Sequence, residues 1–194
     1  MEDIFKAISN GQDEWLQSLL STLKDVNQPI ETNEHFTIAH HAASVGTCSI
    51  VKQVLALESI DLTIKDDSGK SPLHIAVLKN KSRDESASIV HLFLAAHANV
   101  SAVDNNRQTP LHIAMLNKDI QSVRELVESD APTDVLDNTS SSPTMMSEDL
   151  GSEFKFYMNV RPASSFVHCK THRYTPKEAL ALVEKAWIEQ LSDL

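Results

Sequence analysis

The stretch Asp66-Asp67-Ser68-Gly69-Lys70-Ser71-Pro72-Leu73-His74-Ile75-Ala76 recurs as Asp104-Asn105-Asn106-Arg107-Gln108-Thr109-Pro110-Leu111-His112-Ile113-Ala114. In each copy an Asp-led tip runs into a hydroxyl residue and then Pro. That order starts a helix: the hydroxyl caps free backbone N–H groups, and Pro in the first turn gives up no hydrogen bond. A turn followed by a helix is therefore encoded twice.

The register extends well beyond these two copies. Thr37, followed by Ile38 rather than Pro, then Ser71, Thr109, Ser142 and Thr175 are separated by 34, 38, 33 and 33 residues. One further unit back places the first helix at Met1. There Ala7-Ile8-Ser9-Asn10-Gly11, Trp15-Leu16, Leu19-Leu20 and Asp25-Val26-Asn27 follow without a gap. The wording D-x-x-G-x-T-P-L-H-x-A and the period near 33 resemble the ankyrin repeat, a β-turn followed by two antiparallel helices. The resemblance implies an all-α solenoid of helix-turn-helix units with short β-hairpin loops, about five to six repeats, the last ones degenerate. It implies one domain over 1-194, with repeats at about 1-36, 37-70, 71-108 and 109-141, a degenerate unit at 142-174 and a capping helix at 175-192.

Composition fits that expectation. The 194 residues are 41% hydrophobic and 23% charged, too apolar for a disordered chain. A net charge of -10 and a pI near 5.3 argue against nucleic acid or an anionic membrane as ligand and for a basic or neutral protein partner. No window approaches about 18 consecutive apolar residues, and the start Met1-Glu2-Asp3-Ile4 lacks the basic and apolar regions of a secretory signal. Two cysteines far apart, Cys48 and Cys169, read as free thiols. Together these predict a reducing location, cytoplasmic or nuclear.

Each repeat carries its own departures. Pro29 and two extra residues lengthen the first hairpin, so Thr32 to Phe36 is expected to project. The third repeat has five extra residues within Lys79 to Ser86, predicting a longer turn between its helices. Lys118 stands where Gly is expected, and Arg107, Ser140, Arg173 and Glu184 show the same loss. A side chain forced to positive φ costs roughly 1 kcal/mol. An array of modest stability is the expectation. Gly151 and Phe154, Tyr157, Met158 and Val160 read as a degenerate fifth repeat, although Phe154, Phe156, Met158 and Val160 also alternate as a strand would. Thr175-Pro176-Lys177-Glu178 is a capping box, and Ala179, Leu180, Val183, Ala186, Trp187 and Leu191 form one apolar side behind it.

Chemistry-bearing clusters are few. The sequence predicts no cofactor and no structural metal: His40, His74 and His112 fall at the motif histidine, whose implied role is a hydrogen bond to turn backbone. His168-Cys169-Lys170-Thr171-His172 offers soft ligands but lacks a fourth at recognisable spacing. Asp25-Val26-Asn27, with Leu19 eight residues before Asn27, resembles the ankyrin sequence in which Asn is hydroxylated, marking Asn27 as a modification candidate. Ser192-Asp193-Leu194 resembles a C-terminal ligand of PDZ domains.

Function follows by implication from the resemblance. It implies a non-catalytic module, an adaptor, inhibitor or competitor, that binds a protein through hairpin tips and the concave helix face. The candidate contact residues are Asn33, Glu34 and Phe36, then Asp67 and Lys70, then Asn105, Arg107 and Gln108. Stand-alone divergent arrays also occur among pathogen effectors, which would place this chain in a host cytosol. The alternative is an enzyme, or enzyme subunit, with its chemistry in the divergent 140-174 region.

Overall fold

The computed structural model describes residues 2–21, 25–29, 35–79 and 86–159. By packing, the chain divides into two compact units, Met1–Arg161 and Pro162–Leu194, and the description concerns the first. The predicted helix at 175–192 and the His168 to His172 cluster lie outside the described residues.

The described helices come in pairs. They are α1 (Glu2–Ser9) and α2 (Asp13–Leu20), α3 (Ile38–Val45) and α4 (Cys48–Leu55), α5 (Pro72–Leu78) and α6 (Ser86–Ala95), α7 (Pro110–Leu116) and α8 (Ile120–Glu128), then α9 (Pro143–Leu150) and α10 (Ser152–Asn159). First helices pack on first helices, α1 to α3 to α5 to α7 to α9, and second helices on second helices. Two layers result, with one continuous core between them running from Ile4 to Met158. Such helices of seven to ten residues are too short to persist alone, so their stability comes from the neighbouring pair.

From α3 onward, each first helix starts where its hydroxyl stands. Thr37, Ser71, Thr109 and Ser142 are extended residues immediately before α3, α5, α7 and α9, and Pro opens the last three of these helices. Leu73, Leu111, Ala76, Ala114 and Leu126 are buried as the periodicity requires. The ambiguous stretch after Gly151 is a helix, not a strand: Phe154 and Met158, four apart, are buried on one side of α10. Among the described residues no strand forms. The hairpins close as tight turns, as where Asp66 N–H donates to the Lys70 carbonyl at 2.9 Å.

Among the described residues the glycine expectation fails only at Gly46, and Arg173 and Glu184 lie outside those residues. Lys118, Arg107 and Ser140 adopt φ of 55°, 59° and 62°, as does His35 at 52°, while Gly11 and Gly69 take 67° and 77°. Gly46 does not. Its φ is -70°, and it is small for another reason: a Cβ there would lie 2.5 Å from the Ala42 carbonyl oxygen.

Candidate functional site

The tips are built around one buried carboxylate each. Asp66 Oδ1 accepts from the N–H groups of Ser68 and Lys70 at 2.9 and 2.8 Å and from the Ser68 hydroxyl at 2.7 Å. Asp104 accepts from the N–H groups of Asn106 and Gln108, both at 2.8 Å. Asp137 accepts from Thr139 and Ser141 in the same way. Burial would raise the Asp137 pKa, but the Thr139 hydroxyl and the two N–H groups outweigh it and hold the carboxyl at about 2. These acids stand five residues before Ser71, Thr109 and Ser142. That fixed spacing is the sequence signal for the structural role of Asp66, Asp104 and Asp137, none of which the sequence reading singled out.

Consecutive tips are tied to one another. The Asn105 N–H donates to the Ser68 carbonyl at 3.0 Å, and its side-chain amide donates to the Asp67 carbonyl at 2.9 Å. Asn138 repeats this on the next step, bonding the Asn106 and Asn105 carbonyls at 3.0 and 3.2 Å. One tip earlier, His35 pairs through Nδ1 with the Asp67 carboxylate. The tips thus form one edge.

The motif histidines bind that edge to the helices. His40 Nε2 lies 3.0 Å from the Lys70 carbonyl, His74 Nε2 3.0 Å from that of Gln108, and His112 Nε2 3.2 Å from that of Ser141. Facing a carbonyl, Nε2 must carry the proton, which leaves Nδ1 to accept from the N–H of Thr37, Ser71 or Thr109. Only the neutral ring satisfies both ends. Burial lowers all three pKa values, that of His74 to about 4, against the opposing pull of the carbonyl each ring bonds.

The sequence-derived contact residues divide on this frame. Asp67, Asn105 and Arg107 are exposed along the edge, and Arg107 occupies the positive-φ position that Gly69 fills one tip earlier. Lys70 and Gln108 are half-buried. The Lys70 ammonium donates to the Ser68 hydroxyl at 3.1 Å and lies 3.7 Å from Asp104 Oδ2, so it joins tips as much as it faces outward. Phe36 is half-buried against the core, its ring 5.1 Å from that of His40. Asn33 and Glu34 lie outside the described residues.

Asn27, the modification candidate, works as a strut. Its amide nitrogen donates to the Ser59 carbonyl at 2.6 Å and its Oδ1 accepts from the Asp61 N–H at 2.8 Å, tying the exits of the first two repeats. Among the described residues no three His, Cys, Asp or Glu side chains converge as metal ligands would, and no helix is long and apolar enough to cross a membrane.

Comparison with known proteins agrees with this architecture. A family model described as ankyrin repeats in three copies matches residues 4–84, and one described as an ankyrin repeat matches 68–105 and 106–138. Mouse Rabankyrin-5 is 29% identical over 149 residues, covering 76% of this chain and 12% of that protein. The tyrosine-protein kinase Shark of Drosophila melanogaster is 29% identical over 157 residues, 77% of this chain and 16% of its own length. Mouse ankyrin repeat domain-containing protein 53 is 28% identical over 111 residues, 57% of this chain and 22% of its own. The chain spans less than a quarter of each of these relatives. Matched across residues 4–138 and built from stacked helix pairs joined by Asp-led tips, the chain belongs to the ankyrin repeat family.

Proposed function

We propose that this chain is a non-catalytic binding module, an adaptor, inhibitor or competitor, that engages a protein through the tip edge and the first-helix face beside it. The observation that carries the reading is the bonding of one tip to the next through Asn105 and Asn138. It turns side chains far apart in sequence into one pre-organised surface, so little ordering remains to be done on association. Arg107, exposed near the middle of that edge, is the anchor, since Arg and aromatic residues dominate interface energies.

The test is affinity capture from cell extract with the full chain as bait, read by mass spectrometry. A stoichiometric protein partner should be retained by wild type and by Lys52→Ala on the second-helix side, and lost with Arg107→Ala. Equal capture by both variants would move the interface off the tips.

A further inference from the structure

The joint between the first and second helix pairs has its two side-chain types on exchanged sides. Two residues before Ala42, Ala76 and Ala114 stand the motif histidines His40, His74 and His112, and one residue before Ala76 and Ala114 stand the buried Ile75 and Ile113. Counted the same way from Ala7 and Ala42, α1 has Phe5 at the histidine position and α3 has His41 at the isoleucine position. From the second pair on, the histidine ring of one first helix reaches forward to the carbonyl just before the next helix-opening hydroxyl. Phe5 carries no donor. The Phe36 carbonyl, in the corresponding place before Thr37, therefore receives no such bond from Phe5.

His41 makes the link backward instead. Its Nε2 lies 3.2 Å from the Phe5 carbonyl and 2.9 Å from the Ser9 hydroxyl, and its ring meets the Phe5 ring edge-on with centroids 4.6 Å apart. That fastens helix to helix and leaves the tip out. The bond between His41 and Ser9 is exposed, as is the 2.7 Å bond from the Ser49 hydroxyl to Asp13 that joins α4 to α2. Exposed hydrogen bonds trade with water at little net gain. The first tip is held from the other side, where His35 pairs with Asp67 of the second tip. Asn27, beyond the end of α2, is likewise bonded to Ser59 and Asp61 of the second repeat.

We infer that α1 and α2 open as a unit of their own, while the tip edge from His35 onward stays closed with the pairs behind it. Ile4, Ala7, Ile8, Leu16 and Leu20 are buried, so the closed form is the ground state. Opening works on the joint that lacks the ring-to-tip bond supplied by His40, His74 and His112 at the joints that follow. Local opening of this kind follows the weakest-held boundary between packed units. It separates α1 from α3 and α2 from α4, which are packed together in the closed form. The tip edge keeps its geometry throughout, because its bonds run from tip to tip and from tip to the helices behind. The inference holds whether or not that edge binds a partner.

Native-state hydrogen exchange on the full chain at neutral pH, read by mass spectrometry, tests this. The amides of α1 and α2 should exchange together, about tenfold or more faster than those of α5 and α7. The tip N–H groups of Lys70 and Gln108, which donate to Asp66 and Asp104, should stay protected along with α5 and α7. Phe5→His combined with His41→Ile gives the first joint the residues of the later ones. It should slow exchange in α1 and α2 about tenfold, the worth of one added buried hydrogen bond, and leave α7 unchanged. Protection in wild-type α1 and α2 equal to that of α5 and α7 overturns the inference, and so do tip amides that open in one block with α1 and α2. A doubly substituted chain that melts like wild type and still exchanges as fast in α1 and α2 would show that the missing ring-to-tip bond is not what frees them. The wild-type comparison decides even if that variant does not fold.

Discussion

The fourth and fifth helix pairs start alike and couple differently. Thr109-Pro110 opens α7 and Ser142-Pro143 opens α9, each with the cap hydroxyl accepting from the third helical N–H. Three residues on, the fourth pair has His112, fully buried and reaching the Ser141 carbonyl, and the fifth has Met145, 55% exposed. The hydroxyl and the proline decide that a helix begins. The histidine decides that the helix is fastened to the next tip.

Acid should expose that difference most strongly. At neutral pH, His74 is uncharged in the folded and the unfolded chain. As pH falls below about 6.5 the unfolded chain takes up a proton that the folded ring, with its pKa near 4, refuses. Stability that is fully present above about pH 6.5 is therefore lost on the way down to pH 4. The loss from His74 alone approaches about 3 kcal/mol at one pKa unit per 1.36 kcal/mol, with His40 and His112 adding in the same direction. Denaturant melts between pH 7 and 4.5 should show a steep fall that His74→Gln makes shallower. An equal slope in the variant would mean that carboxylates alone set the acid response.

Substitution should separate the two pairs at constant pH. His112→Ala leaves the Thr109 N–H and the Ser141 carbonyl without their ring partner, and is expected to cost about 3 kcal/mol. Met145→Ala, on an exposed side chain, should cost less than about 0.5 kcal/mol. Comparable losses in urea unfolding would show that the histidine is not the fastening.

A smaller effect belongs to Gly69. An added Cβ would sit at φ of 77° and 2.7 Å from the Asn105 N–H nitrogen, with the Asn105 side chain closer still. Gly69→Ala should cost about 2 kcal/mol, part from the left-handed backbone and part from prising two tips apart. A melting temperature equal to wild type would mean that the tip-to-tip bonds are dispensable.

The parts of the molecule that the sequence made legible are those where one residue type answers one backbone demand. The hydroxyl and Pro at Ser71 and Thr109, the apolar positions Leu73 and Leu111 and the positive φ at Lys118 all read directly. The α9–α10 pair was ambiguous because Phe154, Phe156, Met158 and Val160 satisfy a period of two as well as a helix, and only packing settles such a run. Family models stop at residue 138, short of that pair. The contact residues were the least legible. Exposure at a tip depends on what the neighbouring tip does, as Lys70, drawn toward Asp104, and Phe36, drawn onto His40, both show.

Arg107 gives the most direct test of the binding role, because stability and affinity should move in opposite directions. The residue holds a φ of 59° that glycine adopts without penalty. With the captured partner in hand, Arg107→Gly should raise the melting temperature, by the equivalent of about 1 kcal/mol, while weakening binding by about 2 kcal/mol or more, roughly thirtyfold. Partner affinity unchanged in a variant of equal or greater stability would contradict the assignment of the tip edge as the binding surface.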